Sequence, residues 1–145
     1  MLRAYPRIIA LAAMVTCLST TAQAADTTLT LACQGTVTTK VFLGKFVDNE
    51  PEPISMGLIV NLTKRTVQGT GRWGPWLFDD QLPITELTEG TVVFEGFSKF
   101  LGMKVSGTMD RVTGDVGMVA TTTGETKEGQ ARDYALKCRP AQRMF

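Results

Sequence analysis

The segment Lys104–Thr123, "KVSGTMDRVTGDVGMVATTT", decides the fold. Val105, Gly107 and Met109 alternate with Lys104, Ser106 and Thr108, and a second alternating run follows the cluster Asp110-Arg111-Val112-Thr113-Gly114. Successive side chains of a strand point to opposite faces, so a period of two describes two half-buried β-strands. The cluster between them has hairpin chemistry: Asp110 can accept from amides further round the turn, and Gly114 can take a positive φ. Residues 57–71, "GLIVNLTKRTVQGTG", have the same shape. Their tip, Thr63-Lys64-Arg65-Thr66, reads as one residue tighter, with Thr in the place of Asp. Two copies make two corners and no repeat array.

Working outward, the same period recurs almost everywhere. Leu29, Leu31 and Cys33 fall in step, as do Val37, Thr39, Val41 and Leu43, then Met56, Leu58, Val60 and Leu62. Near the end of the chain Tyr134, Leu136 and Cys138 share a face. No stretch of ten residues beyond Ala25 has a 3.6-residue period. Strands are therefore expected at 27–34, 36–43, 55–62, 66–72, 82–87, 91–97, 102–109, 115–122 and 131–138. The expected class is all-β: one antiparallel meander of eight or nine strands, curled into a small barrel or, as the alternative, folded into a two-layer β-sandwich.

The cysteines favour the barrel. Residues 1–24 have the form of an export signal, with Arg3 and Arg7 ahead of the apolar run Ile8–Leu18 and Ala22-Gln23-Ala24 at the cleavage site. The run is short of the roughly 20 apolar residues a membrane helix needs. Cleavage after Ala24 would remove Cys17, leaving Cys33 and Cys138 in a single domain at 25–145 and moving the net charge from +1 to −1. Two cysteines in an exported chain suggest one disulfide. Each is in phase with its strand's apolar residues, so a bridge would stitch the first strand to the last and close the cylinder. The expected location is the periplasm or the exterior, with no stable membrane insertion once the signal is removed. Near-neutral, interspersed charge gives no basic stripe for nucleic acid.

Two segments break the rhythm. Lys45–Ser55, "KFVDNEPEPIS", reads as a solvated loop; Asp48, Asn49, Glu50 and Glu52 in it match no calcium-loop spacing. Gly71–Pro83, "GRWGPWLFDDQLP", holds both tryptophans. The chain has no histidine, which removes triads, a histidine base and ordinary catalytic zinc. Asp79 and Asp80 are adjacent, a poor start for a cooperating acid and base. Glu125 and Glu128 read as an exposed hairpin tip. No enzyme activity, catalytic residue, metal or cofactor is expected. The candidate recognition site is the loop carrying Arg72, Trp73, Trp76, Asp79 and Asp80, an aromatic platform with flanking charge. Its rival reading has Trp76, Leu77 and Phe78 folding inward to plug one barrel end.

The ending "ALKCRPAQRMF", with "PEPISMGLIVNLTKRTVQG" and "DRVTGDV", resembles a set of small exported proteins of Gram-negative bacteria that has no assigned activity. A short exported barrel with a terminal disulfide is also similar in plan to the periplasmic inhibitors of c-type lysozyme, in architecture and compartment alone. The expected function is a binding or inhibitory module of the bacterial envelope whose partner is an envelope protein or a glycan. The alternatives are an envelope component with no discrete site and a carboxylate-dependent glycan hydrolase.

Overall fold

Alternating sequence becomes alternating burial along most of the chain. In the computed structural model, which describes residues 27–43, 46–78, 81–122 and 128–141, nine strands form in chain order. They are β1 Thr28–Leu43, β2 Phe46–Asp48, β3 Glu52–Asn61, β4 Thr66–Thr70, β5 Leu82–Leu87, β6 Thr91–Ser98, β7 Met103–Asp110, β8 Asp115–Thr122 and β9 Glu128–Pro140. A single helical turn, α1 (Gly74–Phe78), lies between β4 and β5. The expected export signal, Asp79, Asp80 and Glu125 lie outside the described residues.

The sheet runs in chain order, every described pairing is antiparallel, and β1 also pairs with β9. Eight strands thus close a barrel, with β2 as an extra strand hydrogen-bonded to the far end of β1. The register of the seam places Cys33 opposite Cys138, and the two are disulfide-bonded. Closure removes the free edges that an open meander of this length would expose.

The interior is the set of residues in phase with those cysteines. Met56, Leu58 and Val60 of β3, Val92 and Phe94 of β6, Met103, Val105 and Met109 of β7, and Tyr134 and Leu136 of β9 are all buried. The outer face is polar: Lys40–Asp133, Lys104–Glu95 and Lys137–Asp115 ion pairs cross it at 2.7, 2.7 and 2.8 Å.

Three expectations need correction. The strands placed at 27–34 and 36–43 are one strand, because the alternation passes through Gly35 unbroken and a side chain there would strike the Ala135 carbonyl of β9. The segment 45–55 is not simply a loop: Phe46–Asp48 pairs with Lys40–Phe42, and β3 starts at Glu52. The two hairpin tips are also of equal length, since four residues separate β3 from β4 and β7 from β8. Asn61, not a threonine, stands where Asp110 stands. Asn61 Oδ1 accepts from the Lys64 amide at 2.7 Å, and Asp110 Oδ1 accepts from the Val112 and Thr113 amides at 2.8 Å.

Candidate functional site at the upper end of the barrel

The two ends of the barrel are built differently. At the lower end the turns at 88–90 and 111–114 bond each other, and the turn at 62–65 is tied to the start of β1. Arg111 donates from Nη1 to the Thr88 carbonyl and from its amide to the Gly90 carbonyl, each at 2.7 Å. The Thr27 amide reaches Thr63 Oγ1, and Asn61 Nδ2 reaches Thr28 Oγ1, both at 3.2 Å. Those bonds tie the lower turns into the barrel wall.

The upper end is shaped by a short strand. β5 meets β4 only at Thr66↔Pro83 and Val67↔Leu82, so the rest of β4 lacks that neighbour. α1 fills the gap. It lies directly against β4 because Gly69 and Gly74 face each other without side chains; a Cβ on either would run into the other's backbone. Leu77 and Phe78 drop into the core, and the Phe78 ring sits 6.0 Å from that of Phe94. The inward plug expected of this segment is therefore present for Leu77 and Phe78.

With α1 anchored, Trp73 comes to the lip of the barrel. A cavity of about 230 Å³ opens there, lined by Trp73, by Val37 and Thr39 of β1, by Glu52 and Ile54 of β3 and by Arg132 and Tyr134 of β9. A much smaller pocket adjoins it, sharing Trp73, Arg132 and Tyr134 and reaching Leu77 and Leu101. Arg72 goes elsewhere: it borders an outer groove beside Gly57, Thr70 and Ala141, to which Trp73 also contributes. The tryptophan loop is thus divided, with Trp73, alone among its described side chains, bordering both the mouth and the outer groove. The side chain of Trp76 is outside the described residues, as are Asp79 and Asp80.

The electrostatics of the mouth turn on Arg132. It lies opposite Thr39 and Ala120 and in phase with Tyr134, Leu136 and Cys138, so its side chain enters the barrel, where two small neighbours leave it room. Its Nε is buried and has no hydrogen-bond acceptor. Among the described residues no ion pair joins it to Glu52, the carboxylate that shares the cavity. Burial pushes the Tyr134 phenol above its ordinary range, and a hydrogen bond from the Arg132 side chain pulls it part of the way back. The phenol is therefore a neutral donor and acceptor at physiological pH.

The rim is apolar. Trp73 is 36% exposed, Phe97 49% and Phe100 65%; Phe97 is on the outer face of β6 near its end, and Phe100 is in the β6–β7 turn, whose Leu101 reaches the smaller pocket. Arg132, Phe97 and Phe100 are not among the residues the sequence marks out as a site. For Arg132 a signal existed: it sits two residues before Tyr134, on the face that is otherwise apolar. Searches of family models, of curated proteins and of solved structures found no match to this chain.

Proposed function

We propose that the protein is an exported binding or inhibitory module of the bacterial envelope that captures its partner, an envelope protein or glycan, with the upper end of the barrel. The observation that carries this reading is the asymmetry between the ends. The lower turns use polar groups on one another and on the start of β1, whereas the upper end combines a cavity lined by Trp73 with exposed Phe97 and Phe100 at the end of β6 and in the β6–β7 turn. A large aromatic at a concave site, with further exposed aromatics on the same end, is a setting in which binding hot spots form. Export is supported by the leader-like residues 1–24 and by the Cys33–Cys138 disulfide, which an oxidising compartment sustains. A polar outer face crossed by three ion pairs suits a barrel bathed in water more than one sheathed in lipid.

The test is capture of partners from envelope extract by the oxidised protein, with Trp73→Ala and Phe100→Ala made together. The expected result is loss of the captured partner while the circular dichroism spectrum stays that of the parent. Capture that is indifferent to both substitutions overturns the assignment of the upper end.

A further inference from the structure

An arginine inside a barrel is costly unless something accepts its hydrogen bonds, because burying an unpaired charge loses hydration without return. Arg132 is half-buried and meets Tyr134, but one of its donors is in that position. Its Nε is buried without an acceptor, its neighbours across the sheet are Thr39 and Ala120, and it makes no ion pair with the Glu52 of the same cavity among the described residues. It lines a cavity of about 230 Å³ together with Trp73 and Tyr134.

We propose that the mouth is a carboxylate-binding site, in which the guanidinium of Arg132 receives a single carboxylate borne on a slim apolar or flat stem. This inference rests on the upper end being the binding end and specifies its ligand chemistry. The guanidinium is a planar fork whose Nε and Nη donors match the two oxygens of a carboxylate. The Tyr134 hydroxyl, already in hydrogen-bonding reach of Arg132, supplies a further polar partner. Val37, Ile54 and the Trp73 ring provide apolar walls for the stem. Glu52 sets the charge selectivity. One arginine and one glutamate leave the cavity neutral, so a monoanion is accepted, whereas a polyanion meets repulsion from Glu52. The cavity of about 230 Å³ is smaller than the roughly 300–1,000 Å³ typical of drug-sized ligands, so it takes one acid-bearing group. That group is either a free small acid or the carboxylate of a protein segment.

The experiment titrates the oxidised full chain with acetate, hexanoate and benzoate, each against its neutral amide at equal ionic strength, by calorimetry and tryptophan fluorescence. At least one acid is expected to bind saturably and at least tenfold more tightly than its amide, with Arg132→Gln removing the difference. If Arg132→Gln does not fold, the acid–amide comparison on the parent decides alone. A parallel pair of peptides ending in Phe, one with a free carboxylate and one amidated, separates the sources: tighter binding of the free-acid peptide than of any small acid points to a protein segment. Equal binding of every acid and its amide, or acid binding unchanged by Arg132→Gln, overturns the inference. Partner capture that depends on Trp73 and Phe100 while no acid is preferred would overturn the ligand chemistry alone and leave the binding end in place.

Discussion

The two hairpin tips are a natural comparison of single residues in the same role. Gly114 has φ +77° and Arg65 has φ +54°, each closing a four-residue loop. An L-residue in the left-handed region costs about 1–2 kcal/mol, so the earlier tip carries a strain that the later one avoids. Arg65→Gly is expected to raise stability by about 0.5–1 kcal/mol, the strain relief being offset in part by the freer unfolded chain. A higher urea midpoint with unchanged slope is the readout. The strand residue just before each loop, Asn61 or Asp110, differs in another way. The amides of Thr113 and Val112 hold the Asp110 carboxyl below its usual range, and Lys137 with Thr113 does the same for Asp115. A depressed carboxyl contributes stability that is present above its unfolded pKa of about 4 and lost as the pH falls through the folded value. Asp110→Asn keeps the acceptor, as Asn61 does in the other tip, and removes the titration. The gap between urea midpoints at about pH 7 and about pH 2 should therefore narrow in the variant. A gap equal to the parent's would show that the Asp110 charge has no part in acid sensitivity.

Among the elements, α1 is the one whose existence depends on its surroundings. Five residues are too few to be helical alone. The turn persists because β5 leaves the end of β4 uncovered and because Gly69 and Gly74 let the two backbones meet. Gly74→Ala forces a methyl group into the Gly69 backbone and should cost about 1–3 kcal/mol. Amide exchange should quicken in β4 and α1 while the lower turns keep their protection; uniform quickening would mean that α1 is no separate unit. The same physics explains what could be read from sequence. β7 and β8 are legible residue by residue because strands half-buried in a closed sheet must alternate. The unity of β1 was also written in its phase, since Leu29 through Val41 keep step, but an interior glycine reads as a break. α1 was not legible as a helix, for no 3.6-residue period fits in five residues. The candidate site was half legible. Trp73 was marked by its type, whereas Arg132 becomes visible only when the phase of β9 is extended past its apolar members.

For the whole molecule, the decisive contact joins the two strands farthest apart in the chain. β1 and β9 pair continuously from Leu31↔Pro140 to Leu43↔Glu128, and the Cys33–Cys138 bond spans 105 residues of sequence on the interior side of that seam. The barrel is thus closed twice, by a hydrogen-bonded ladder and by sulfur. The ladder defines the folded shape, so reduction should leave the far-UV spectrum of the folded protein unchanged. The bond acts mainly on the unfolded chain, where opening a loop of this length restores entropy equivalent to about 4–5 kcal/mol. Against a total stability of about 5–15 kcal/mol for a domain, that loss leaves the reduced protein near the margin. Two kinetic and equilibrium consequences go together. The urea midpoint should fall on reduction while the slope steepens, because an uncrosslinked unfolded chain exposes more surface. Refolding should also slow, since the reduced chain must find its longest-range pairing without the tether. Urea titrations and stopped-flow refolding of the oxidised protein and of the Cys33→Ser/Cys138→Ser double variant measure both. If the variant keeps the parent's midpoint and rate, the bond is incidental and the ladder alone holds the seam. If it loses the folded spectrum altogether, the ladder cannot close the barrel without sulfur.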